Sequence, residues 1–275
     1  MLTKLEIELL KLWRKPRTYL GFAGMAAIVG LVLMAMKLGD PFSHMQARLA
    51  QDFIVVGSFV NAPFLTRHLL DGIVYTFLPL FACLVCGDLI VSEAADGTLR
   101  AVLCRPVSRT SVVVSKYAAG ALYVLALVFG TGMLAYVAGW AFLGRGSLVE
   151  LSRGVWVFPE GAAILRLLAA YGLVAASMLA VGSIALAIST FLSNSNGSII
   201  GAMVVMYSSA IVGEIEYFAR VKPYLFTTYM DEWRHLFVDP IDTGVVLKCV
   251  AVMAAYAAVS LAIGLVVFCR RDVLS

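Results

Sequence analysis

Long apolar runs that carry almost no charge alternate along this chain with short charged stretches. The runs cover residues 18–38, 72–92, 117–143, 167–193, 197–213 and 249–269. About 20 apolar residues are enough to cross the roughly 30 Å hydrocarbon layer of a bilayer. Backbone polar groups in lipid must be satisfied within the structure, so continuous runs of this length predict helices. A barrel would instead show alternating segments of about 10 residues. The pattern predicts an all-α polytopic membrane protein, a six-transmembrane-helix bundle forming a single domain over residues 1–275. A further apolar stretch, 53–65, has only 13 residues and holds Asn61 and Pro63. It fits a re-entrant or interfacial helix better than a seventh crossing.

Composition agrees with the pattern. Hydrophobic residues make up 61% of the chain and charged residues 14%, against about 45–50% and about 25% in soluble domains. Five basic residues fall in the first 17, and Arg270-Arg271 directly follow the last run. Basic density at span ends favours the cytoplasmic side, so both termini are expected in the cytoplasm of a bacterial inner membrane. Topology then accounts for the net charge of +4, and no nucleic-acid partner is implied. The first run is long enough to span and lacks an A-x-A-like cleavage site, so it is expected to remain as an anchor. The five cysteines do not lie in extended outer loops and imply no disulfide framework.

Residues 1–16 form a different kind of segment. Leu2, Leu5, Leu9 and Leu12 recur at helical spacing, and Lys4, Glu8, Lys11 and Lys15 fill another face. Thr3 and Glu6 have capping-box spacing, and Lys4 and Glu8 are spaced for an ion pair. With Trp13 at headgroup level, this reads as an amphipathic helix on the inner leaflet of the lipid bilayer. Pro16 marks the bend into the first span.

Between the second and third runs, residues 93–112 stay polar. Asp96-Gly97 signals a turn, while Leu99, Val102 and Leu103 give a short apolar face among charges. Pro106 stops that helix, and Lys116 opens the next span. Helix, break and return make a compact knob held between two membrane helices.

This knob resembles the first cytoplasmic loop of ABC-2 type transporter permeases. The matching residues are Glu93, Gly97-Thr98-Leu99, Leu103, Pro106-Val107-Ser108-Arg109 and Lys116. The layout of N-terminal helix, six spans and an outer segment before the last span is similar across nearly the whole chain. The family's acidic cluster is thinned here to Glu93 and Asp96, with Ala94 and Ala95 between. The resemblance implies that the segment from Glu93 through Asp96, Arg100 and Arg109 docks as a coupling helix on an ABC ATP-binding subunit. Two copies of that subunit and a second permease copy, identical or not, would complete the complex. ATP and magnesium would sit on the ATPase, with no cofactor bound by this chain. The absence of a G-x-x-x-x-G-K-[ST] loop is consistent with a non-catalytic membrane subunit of an exporter. The resemblance also makes 214–243 an outer re-entrant segment.

Other patterns are weaker. Gly197-x-x-x-Gly201 is a small-residue motif that serves a dimer seam or packing within the chain equally well. Glu214 and Glu216 are spaced to pair with Arg220 or Lys222, and near-membrane acids are functional candidates. Cys83 and Cys86 read as buried small hydrophobes, without a third ligand nearby for a metal. His44, His68 and His235 are scattered. A secondary transporter or channel is the alternative class, and a membrane scaffold the third. The first lacks an internal repeat or a mid-membrane acid, since Asp88, the one acid in a span, lies near its end, and the second leaves the specificity of the 93–109 motif unexplained.

Overall fold

The computed structural model describes residues 2–39, 60–95, 97, 108–150, 156–192 and 194–270. Helix α1 (Leu2–Arg14) leads into α2 (Pro16–Gly39). Pro16 occupies the first turn of α2, where its missing N–H leaves no bond unmade. The Thr18 hydroxyl closes the bend by donating to the Leu12 carbonyl at 2.6 Å. Then come α3 (Ala62–Ile73), α4 (Phe77–Cys86), α5 (Asp88–Ala95) and α6 (Arg109–Leu143). Strands β1 (Leu148–Glu150) and β2 (Trp156–Phe158) pair antiparallel, with Leu148 opposite Phe158. After α7 (Glu160–Ser189) and α8 (Ser195–Glu214), three 3₁₀ segments follow, the longest being Phe226–Phe237. Helix α9 (Thr243–Arg270) ends the described chain.

Among the described residues, six helical segments are long and apolar enough to cross a membrane: α2, α4 with α5, α6, α7, α8 and α9. Their outward faces carry large apolar side chains, with Met133 72% and Leu247 71% exposed. A surface of that kind is at home in lipid and not in water. Helix α7 is the axial element, with 72% of its most apolar window buried against 17% for α8 and α9. Small residues let neighbours close on it. Ala180, Ser183 and Ala187 are buried, and a Cβ added at Gly264 would lie 3.4 Å from the Ala187 Cα.

The second crossing is a broken helix running antiparallel to α6 over nearly its whole length. Ala62 lies against Gly139, Cys86 against Gly120, and Glu93 against Lys116. Residues 60–65 of the short apolar stretch therefore open α3, which prolongs this crossing, and form no separate one. The earlier part of 53–65 lies outside the described residues. Sequence reading stopped at the charges of Arg67 and Asp71, but these are neutralised inside the protein. Arg67, 5% exposed, takes Glu150 of β1 bidentately through Nε and Nη2, bonds Asp71, and lies 5.1 Å from the Trp233 ring. The 214–243 segment, expected as re-entrant helices, is 3₁₀ in character and buries Phe226, Met230, Trp233 and Phe237. Two helices also begin earlier than expected, α6 at Arg109 and α7 at Glu160, because Lys116 and Arg166 interrupt the apolar signal of their first turns.

Close approach at Gly139 gives a direct test. A Cβ there would lie 2.9 Å from the Ala62 Cα, whereas one at Gly172 meets nothing within 4 Å. Thermal unfolding in detergent should show Gly139→Ala destabilised by about 1–3 kcal/mol, the range for overpacking. Gly172→Ala should be neutral or stabilised by up to about 1 kcal/mol, from helix propensity.

Candidate functional site

The charged residues at the end of the bundle carrying α1 form one connected lock. Lys116 is 1% exposed, and its ammonium lies 3.0 Å from Glu8 Oε2 and 2.8 Å from Glu93 Oε2. Lys11 takes the other oxygens, Glu8 Oε1 at 3.2 Å and Glu93 Oε1 at 2.9 Å. Two cations and two anions thus alternate in a closed square. Burial alone would push the Lys11 ammonium down, but the hydrogen bond and charge of Glu93, then those of Glu8, outweigh it and leave its pKa raised. A second node sits on Asp88, which accepts from Lys15 at 3.0 Å, Arg17 at 2.7 Å and the Ser195 hydroxyl at 2.6 Å. Lys4 donates to Ser111 Oγ at 3.0 Å, and Arg109 to the Cys269 carbonyl at 3.1 Å. Together these contacts join α1, α2, α5, α6, α8 and α9.

This geometry corrects the reading of α1. Its leucine stripe faces the bundle and not the bilayer: Leu12 is buried, and Leu5 and Leu9 pack on the core. Ile7, Leu10 and Trp13 are the exposed apolar residues. The expected Lys4–Glu8 pair gives way to Lys4–Ser111 and to Glu8 with Lys11 and Lys116, because the polar stripe meets the polar ends of α5 and α6. Leu2 and Thr3 begin the helix, and their side chains lie outside the described residues.

The structure also reassigns the ends of the 93–112 segment. Glu93 points into the lock, its side chain 12% exposed, and Lys116 closes the base of the loop against it. Gly97 has φ +69° and its N–H bonds the Ala94 carbonyl at 3.3 Å. That left-handed conformation terminates α5 and suits glycine. Ser108 is the N-cap of α6, its hydroxyl accepting from the Ser111 N–H at 3.4 Å. Asp96, Thr98, Leu99, Arg100, Leu103, Pro106 and Val107 lie outside the described residues.

At the opposite, hairpin end, Asp71 also takes Arg234 at 3.0 Å. Arg166 donates to the Leu236 and Val238 carbonyls at 2.7 and 3.1 Å. A cavity of 570 Å³ opens beside α8, lined by Glu214, Lys222, Tyr75, Thr227 and Asp231. Burial pushes the Asp231 carboxyl upward. Glu216 is exposed and does not line the cavity, and among the described residues neither glutamate is ion-paired with Arg220 or Lys222. Gly197 and Gly201 turn toward their own chain, where added Cβ atoms would meet Leu192 at 3.7 Å and Ile188 at 3.4 Å. Both are ordinary contact distances, so packing within the chain does not call for glycine at either position. Cys83 and Cys86 are buried among apolar neighbours, and no group of three or more metal-binding side chains occurs among the described residues. Sequence reading missed Arg67, Asp71, Glu150 and Asp231, whose partners lie on distant segments. A charge interrupting an otherwise apolar run was the available signal.

A family model described as "Protein of unknown function (DUF2705)" matches residues 25–274. The chain belongs to the DUF2705 family. No curated protein matches it. The matched span of this DUF2705 chain includes Asp88, Glu93 and Lys116 but begins after α1, which contributes Glu8 and Lys11 to the lock, and after Lys15 at the bend that follows it.

Removing a single buried charge should expose the lock's energetics. Lys116→Met leaves Glu8 and Glu93 with Lys11 as their one shared cation and should cost about 3–5 kcal/mol in thermal unfolding. Adding Glu8→Gln and Glu93→Gln to that variant should recover most of the loss.

Proposed function

We propose that this chain is the membrane permease subunit of an ATP-driven ABC-2 exporter or related mechanochemical complex. A separate ATPase would hydrolyse ATP at the cytoplasmic end, taken as the end that carries α1. The observation that carries this reading is the 2.8 Å Glu93–Lys116 pair. It joins the first and last residues of the motif that resembles a coupling element, one on each stem of the loop. A loop pinched at its base moves as a body with α5 and α6, so a push on its tip is delivered to two crossings at once. Lys11 and Glu8 extend the same connection to α1, and Arg109 extends it to α9. Two ATPase copies and a second permease copy complete the proposed assembly, with both termini on the cytoplasmic face.

The test is a mild-detergent pull-down of the tagged chain from its native host, with bound proteins identified and ATPase activity assayed. Wild type should recover a P-loop ATPase. Proline cannot adopt the positive φ of Gly97, and Arg109→Glu removes the donor to α9. Gly97→Pro and Arg109→Glu should insert normally yet lose at least tenfold of the hydrolysis that depends on the permease. A clean preparation without ATPase would favour a secondary transporter or channel. Unchanged coupling in both variants would remove this loop from the mechanism.

A further inference from the structure

The flank of the bundle between α6 and α7 carries a groove of 320 Å³, within the range of about 300–1,000 Å³ typical of ligand pockets. Its walls are almost wholly apolar: Phe129, Gly132 and Met133 from α6, and Leu167 and Leu168 from α7, over a floor formed by the Tyr171 ring. Gly132 admits that ring, since a Cβ there would lie 2.8 Å from it. The Tyr171 hydroxyl is already committed to the Thr66 carbonyl at 3.1 Å, so the floor offers no free polar group. Met133 and Leu168 are 72% and 55% exposed, which places the opening on the outside of the bundle.

Its depth can be read along α6. From Lys116 to Trp140 the helix advances about 36 Å at 1.5 Å per residue, slightly more than the roughly 30 Å of hydrocarbon. The lining stretch from Phe129 to Tyr136 covers about 10 Å of that and lies beyond the midpoint, toward the hairpin end. The groove thus occupies the hydrocarbon of one leaflet. At its outer limit, Tyr136 lines the groove and donates to Glu160 Oε1 at 3.0 Å. Glu160 meets Arg145 through Nε at 3.6 Å, and Arg145 lies 4.9 Å from the Trp140 ring. The Arg145 side chain is 62% exposed, leaving its guanidinium fork accessible to a phosphate. An apolar slot in the hydrocarbon, ending at an aromatic and cationic rim at headgroup level, matches an amphiphile in both parts.

We propose that this groove holds one acyl chain of an anionic phospholipid from the hairpin-side leaflet, with the phosphate at Arg145. The site rests on the membrane residence of the six apolar helices but is independent of any ATPase partner.

Native mass spectrometry of the full-length chain, released from nanodiscs of phosphatidylglycerol, phosphatidylcholine or an equal mixture, tests it. Wild type should retain one lipid and select phosphatidylglycerol several-fold from the mixture. Met133→Trp and Leu168→Trp, which fill the slot, should each lower retention at least fivefold. Leu165→Trp, 70% exposed on the same helix but outside the groove, should retain lipid as wild type does. Arg145→Glu should keep a lipid while losing the preference for phosphatidylglycerol. Wild-type retention in both slot-filling variants, or equal loss in Leu165→Trp, would overturn the acyl-chain site. An unchanged preference in Arg145→Glu would overturn the headgroup assignment. A dimer peak in wild type that carries no lipid and disappears in Leu168→Trp would show a second chain in the groove and also overturn the proposal. None of these results depends on recovering an ATPase, so failure here and failure of the exporter reading remain distinct.

Discussion

Charges within a low-dielectric bundle must be paired, and this constraint organises both ends of the protein. An unpaired ammonium or carboxylate away from water carries a penalty of several kcal/mol. Lys116, 1% exposed, and Arg67, 5% exposed, are therefore each surrounded by two carboxylates. The pairs differ in what they join. Lys116 joins α1, α5 and α6, whereas Arg67 joins α3 to the hairpin and, through Trp233 and Phe237, to the 3₁₀ segment. Apolar packing holds the middle of the bundle, where fits such as Gly120 on Cys86 and Gly132 on Tyr171 favour one axial register. Ion pairs at the two ends reinforce that register, since a displacement of one turn would strand a buried charge.

The crossings were legible from the sequence because lipid demands uninterrupted apolar length, a signal carried by every residue of a span. The bend at Pro16 was legible for a similarly local reason. The lock was not. Nothing in the spacing of Glu8, Glu93 and Lys116 shows that they meet, since α5 and α6 are separated by a loop and α1 precedes both. Helical periodicity showed correctly that α1 has a leucine face and a charged face. It could not tell which of them meets protein, and both do, because the polar stripe finds partners at the span ends. Arg67 was passed over for the complementary reason. It falls between the stretches 53–65 and 72–92, and the counter-charge that cancels it comes from Glu150, far along the chain.

Caps tell the same story on a smaller scale. Gly97 and Ser108 stood out as parts of a loop motif that resembles a coupling element. In the structure each performs a backbone task, Gly97 through its positive φ at the end of α5 and Ser108 through its side-chain bond at the start of α6. Those tasks and a coupling role are compatible. A loop can transmit displacement only if its two stems end sharply and are held together, and the caps and the Glu93–Lys116 pair supply those two conditions separately.

The two ends of the bundle also differ in what they leave open. At the α1 end, the square of Lys11, Glu8, Glu93 and Lys116 satisfies its charges within the protein, with only the Lys11 side chain substantially exposed, at 42%. At the hairpin end, the clamp around Arg67 is equally closed, yet two sites beside it remain accessible. One is the cavity lined by Glu214 and Asp231, and the other is the apolar slot beneath Arg145. Both lie next to elements that Arg67 and Tyr171 fix to α3. The broken helix formed by α3, α4 and α5 runs beside α6 from the lock to the clamp, so both closed charge clusters bear on the same pair of neighbouring elements.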